Sequence, residues 1–124
     1  MEDMENKKYI SKIVKSGQNI LIKDLEAREA LQYTDVYIGA GATSSDVMVA
    51  ANHHDTVLKG SAFSVTANSN YLWVILPSAY SPILAIGGIA VPMYLSGTTT
   101  VDDVTYNIYK SNNTYRSTFS VNLL

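Results

Sequence analysis

Residues 71–80 read YLWVILPSAY, an apolar run with no polar alternation, whereas VTYNIY at 104–109 and FSVNL at 119–123 alternate apolar and polar residues with a period of two. Alternation predicts strands with one buried face, and the continuous run predicts a strand buried on both faces. The same reading places further strands at 35–39, 62–67 and 89–95, and divides the C-terminal region into strands at 105–109 and 115–123. Turn chemistry is expected at Asn68-Ser69-Asn70, Gly87-Gly88, Gly97-Thr98-Thr99 and Ser111-Asn112-Asn113, and Pro77-Ser78-Ala79-Tyr80 closes the apolar run. Residues 40–45 form a small-residue loop, and 46–53 suit either a short helix or a strand. Short strands at regular spacing predict an antiparallel β-sandwich or barrel-like domain.

The first 33 residues follow a different pattern. Residues 9–14 and 18–23 predict a β-hairpin around Gly17, and Asp24 is placed to cap a helix over 25–32. That helix is too short to be stable alone and must pack on something. Tyr9, Ile13, Ile20, Ile22, Leu25, Arg28 and Leu31 are the candidate attachment or oligomer interface of this segment. The expected organisation is mainly β: a hairpin-helix segment at 1–33 followed by an antiparallel β-domain at 34–124.

Charge sharpens this division. The chain of 124 residues has a net charge of −2, which argues against a nucleic-acid footprint. Lys7, Lys8, Lys12, Lys15, Lys23 and Arg28 oppose Glu2, Asp3, Glu5, Asp24, Glu26 and Glu29 in the first 33 residues. The remaining chain carries only Lys59, Lys110 and Arg116 against Asp35, Asp46, Asp55, Asp102 and Asp103, with no charge between Lys59 and Asp102. A charge-poor, Tyr-rich surface suits burial by partners. Residues 71–95 are long enough to span a bilayer, but Pro77, Pro82, Pro92 and Gly87-Gly88 cut them into strand-sized pieces, so no membrane span is expected. The lack of cysteine excludes disulfides and thiolate chemistry.

No catalytic constellation stands out, and the chain is not expected to be an enzyme. His53-His54-Asp55 is the only histidine site. On a strand, adjacent histidines point apart, so at most one joins Asp55; two loop histidines and no metal or other cofactor are expected. Asp102-Asp103 reads as a solvated turn, and Asn112-Asn113-Thr114 matches an N-glycosylation sequon of a kind common by chance.

Two stretches carry a family resemblance. KKYISKIVKSGQNILIKDLEAREAL, with Ile22-Lys23-Asp24 and Glu26-Ala27-Arg28, resembles the leader of many virion proteins of gut bacteriophages. Tyr37-Ile38-Gly39, Phe63-Ser64-Val65-Thr66, YLWVILPSAY and the segment from Val104 to Ser111 are similar, in order and spacing, to the small β-domain of fibre and appendage proteins of crAss-like and other Bacteroidales-infecting phages. The resemblance implies a virion structural protein, assembled in the host cytoplasm and displayed on the particle. A short homotrimeric head fibre or capsid-decorating protein, docked through its N-terminal segment on capsid or other virion proteins, suits the chain's length. A tail-fibre or receptor-binding module recognising a host surface glycan is the alternative, with Tyr109 and Tyr115 as candidate stacking aromatics.

Overall fold

The structure, a computed structural model, describes residues 31–124. The expected hairpin and helix, with Tyr9, Ile13, Ile20, Ile22, Leu25 and Arg28, lie outside the described residues. The chain divides between Gln32 and Tyr33, one residue before the expected boundary. Leu31 is an exposed turn residue and Gln32 already begins a strand, so the predicted helix does not extend to Gln32.

The described unit is one antiparallel sheet of seven strands: β1 (Gln32–Gly41), β2 (His53–Leu58), β3 (Ala62–Pro77), β4 (Leu84–Ile86), β5 (Ile89–Ala90), β6 (Met93–Val101) and β7 (Val104–Leu123). Their order is β2-β1-β3-β7-β4-β5, with β6 paired to β7 alongside that path. The β-rich fold class read from the sequence is what the chain adopts. A four-residue helix, α1 (Ser44–Val47), and a 3-10 turn (Ala50–Asn52) join β1 to β2 and settle the ambiguity at 46–53. Thr43 and Asp46 close a reciprocal capping box on α1, with each side chain bonded to the other's backbone N–H.

Two pairs of strands predicted as separate are each continuous. Residues 62–67 and 71–76 belong to β3, and 105–109 and 115–123 belong to β7, which pair from Ala62↔Asn122 to Pro77↔Tyr106. The polar spacers read as turns are bulges inside these strands. Between the pairs Asn68↔Arg116 and Asn70↔Tyr115, β3 carries one extra residue, Ser69, at φ +60°. Between Tyr71↔Thr114 and Trp73↔Lys110, β7 carries two more residues than β3.

These bulges govern which side chains are buried. One extra residue inverts the alternation of a strand, whereas two preserve it. In β3 the buried positions on the larger core accordingly change from odd (Val65, Ala67) to even (Leu72, Val74, Leu76) across Ser69. In β7 they stay odd, from the partly buried Tyr109 through Tyr115 and Phe119 to Val121 and Leu123.

The larger core gathers these residues with Tyr33, Val36, Ile38, Val57, Leu84 and Val91. A second, smaller core lies on the opposite face of β3 and comprises Val47, Trp73, Ile75, Tyr106 and Ile108. Leu72 through Leu76 are all buried. The apolar run is therefore a strand covered on both faces, and its charge-free sequence follows from that placement. Pro77 ends it, and a bond from Tyr80 N–H to the Pro77 carbonyl closes the expected turn.

Other boundaries differ from the sequence reading. Leu84–Ile86 and His53–Leu58 are strands that the pattern did not reveal, because each is short and its alternation is weak. The strand expected at 89–95 is split at Val91-Pro92 into β5 and β6. Gly97-Thr98-Thr99, expected as a turn, runs through the middle of β6. Gly87-Gly88 is a tight turn as predicted, with both φ values positive. Asp102-Asp103 is the two-residue link between β6 and β7, at φ +49° and +66°.

Candidate functional site: an uncharged strand edge and an acidic histidine corner

The sheet leaves two features that could meet other molecules. The first is β6, which pairs with β7 and with no other strand among the described residues. Its sequence, MYLSGTTTV, contains no charged residue and no proline. Natural edge strands are usually shielded by charges, proline or shortness, because free backbone donors and acceptors recruit other strands. At the far end of the sheet β2 carries His53, His54 and Asp55, and β5 is only two residues long. Edge protection is thus present elsewhere and missing from β6, apart from the irregular register between Leu95 and Gly97.

Beside the exposed serine and threonines of β6 stand four exposed apolar residues. Tyr94, Leu95, Val101 and Val104 are 46%, 52%, 42% and 41% exposed. Tyr94 lies opposite Lys110 and Val101 opposite Val104, so three of the four share the face that carries Tyr106 and Ile108. Lys110 extends over Tyr71, its Nζ 4.0 Å from the ring centroid, and reaches Trp73 at 5.4 Å. Cation–π contact of this kind holds the ammonium over the aromatic pair.

Tyr109 and Tyr115, the candidate glycan-stacking residues, are each partly buried against the larger core. Tyr115 also meets the Phe119 ring edge to face at 5.6 Å. Their rings serve packing more than display, and Tyr94 is the more exposed tyrosine.

The second feature is a corner between β1 and β2. His53 and His54 belong to a strand, not to a loop, and alternation separates them. His54 packs on Phe63 at 4.6 Å between ring centroids, whereas His53 packs on Tyr37 at 4.9 Å. His53 Nε2 lies 3.5 Å from an Asp35 carboxylate oxygen, and its Nδ1 lies 3.6 Å from Asp55. Asp55 stands two residues along the same strand. Asp35 comes from β1, where φ +54° turns its side chain out of the regular alternation. The ligand atoms of all three residues lie within 4.8 Å of one another. Sequence spacing allowed one histidine to join Asp55, although two loop histidines were expected; Asp35, eighteen residues away in an adjacent strand, left no local signal.

Tyr106 lies behind this corner, with its ring 6.2 Å from that of Tyr37. Burial raises the pKa of its phenol above the ordinary value, and the nearby charges of Asp35, Tyr37 and Asp102 raise it further. Burial also raises the pKa of Tyr33, whose hydroxyl donates to the Leu124 carbonyl at 2.6 Å.

Among the described residues no helix is long and apolar enough to cross a membrane. In comparisons with family models, curated proteins and solved structures, nothing matches the chain.

Proposed function

We propose that this chain is a structural, self-assembling β-domain protein of a bacteriophage virion, a short head fibre or capsid-decorating protein whose copies associate through the β6 edge. The observation that carries the assembly is the uncharged β6 strand with the exposed apolar residues Tyr94, Leu95, Val101 and Val104. A second copy is the partner that fits best, since two such edges satisfy each other's backbone groups and bury apolar area without stranding a charge. The virion role rests on the motifs at 7–31 and 37–111, and the N-terminal segment is its attachment end. Pairing of two β6 edges closes a twofold dimer, and the three copies that the resemblance implies need a further, heterologous contact around a threefold axis.

Light scattering across a dilution series tests this reading. The expected result is a concentration-stable multiple of 13.6 kDa, reduced by Thr98→Lys combined with Thr100→Lys on β6. A monomer at every concentration would overturn assembly by the chain alone. The glycan-binding alternative draws on exposed Tyr94 beside Lys110, and a polysaccharide array is its direct test.

A further inference from the structure

We infer that Asp35, His53 and Asp55 form a binding site for a transition-metal dication of the zinc class, independent of the β6 edge. The inference rests on how the two ring nitrogens of His53 are assigned. Each faces its own carboxylate, Nε2 facing Asp35 and Nδ1 facing Asp55. One imidazole gives one nitrogen to one metal. The ring is therefore arranged as Asp55–His53–metal–Asp35, with Nε2 and the Asp35 oxygen as ligands and Asp55, 3.6 Å from Nδ1, as the group toward which the Nδ1–H points. Metal-binding histidines characteristically give their second N–H to such a partner, which fixes the tautomer and raises the basicity of the ligand.

The spacing agrees with this assignment. In tetrahedral zinc sites, bonds of about 2.0–2.2 Å place neighbouring ligand atoms about 3.4 Å apart. The observed Nε2 to Asp35 separation is 3.5 Å. The ring cannot turn freely, because Tyr37 packs against it. The two carboxylates also differ in exposure. The His53 and Asp35 side chains are 29% and 53% exposed, whereas Asp55 is 94% exposed and suits an outer, orienting role better than a ligand role. Water fills the remaining positions on the metal. Among the described residues no lysine or arginine pairs with Asp35 or Asp55. An imidazole nitrogen with carboxylate oxygen favours zinc, nickel or copper over magnesium and calcium, which prefer oxygen alone.

The test is titration of the full-length protein with Zn²⁺, followed by calorimetry and by imidazole ¹⁵N resonances. His54, packed on Phe63, serves as an internal control. The expected result is saturable binding that shifts the His53 resonances, leaves those of His54 in place and does not occur with Mg²⁺. His53→Gln and Asp35→Asn should each abolish it. Asp35→Asn keeps the backbone intact, since asparagine tolerates the left-handed conformation at this position. Asp55→Asn should weaken binding by about 10- to 100-fold, as loss of an orienting partner does. No saturable Zn²⁺ binding, unchanged binding in His53→Gln, or equal binding of Mg²⁺ would each overturn the site.

Discussion

The Ser111 hydroxyl accepts a hydrogen bond from the Leu72 backbone N–H at 2.9 Å and donates one to the Asn113 carbonyl at 2.7 Å. Leu72 lies where β3 and β7 lose register, so its amide has no regular ladder partner there. The serine side chain replaces one. It is the only fully buried polar residue in the described core. Ser111→Ala would leave a buried donor unsatisfied, which costs about 1–3 kcal/mol. Urea unfolding should show this as a lower midpoint at unchanged slope.

Trp73 links the apolar strand to the loop that leaves β1. Its ring is buried in the smaller core beneath Val47, and its Nε1–H donates to the Gly41 carbonyl at 2.9 Å. Trp73→Ala should destabilise by about 3–5 kcal/mol through the cavity it opens. Trp73→Phe keeps much of the apolar volume but loses the donor, and should cost less. Thermal melts of the two variants separate packing from the hydrogen bond. An unchanged melting temperature in Trp73→Ala would place this residue outside the core.

Much of this architecture was legible in the pattern of the chain. YLWVILP announced a strand buried on both faces because no solvent-facing position remained in it. Gly87-Gly88 announced a turn because its backbone needs positive φ. The Asn- and Ser-rich spacers misled, since residues that favour turns also favour bulges; both require irregular backbone and local polar partners. Whether the chain reverses or runs on is decided by pairing across the sheet, as Ser111 with Leu72 illustrates. The His53 corner was half legible. The i, i+2 spacing to Asp55 was visible, but Asp35 arrives through strand pairing and a left-handed residue that no local motif announces.

The β6–β7 link offers a stabilising change. Asp102 and Asp103 both adopt positive φ between Val101 and Val104, which form a cross-strand pair. Two-residue turns with positive φ at both positions favour Asn-Gly and Asp-Gly. Asp103 also places a second carboxylate beside the first. Asp103→Gly should therefore relieve left-handed strain of about 1 kcal/mol and raise the melting temperature. The converse change at the neighbouring glycine turn, Gly88→Val, places a β-branched residue at φ +81° and should lower it. Differential scanning calorimetry of the two variants checks both signs.

Alkaline pH should expose the buried phenols. Burial, then Asp35, Tyr37 and Asp102, hold the Tyr106 pKa above its ordinary value, and burial alone does so for Tyr33. A raised native pKa means that the folded state keeps its proton longer than the unfolded chain does. The resulting stability is fully present below the unfolded value, about 10 for tyrosine, and is lost as pH rises through the native value. Unfolding free energy should thus fall above about pH 10. Tyr106→Phe removes the titrating group while keeping the ring in the smaller core, and should flatten part of that fall. Asp35→Asn should reduce it less, because burial outweighs the aspartate as the cause of the shift. Denaturant midpoints measured at several alkaline pH values distinguish the two. An alkaline decline as steep in Tyr106→Phe as in the parent chain would assign the effect to Tyr33 or to another ionisation.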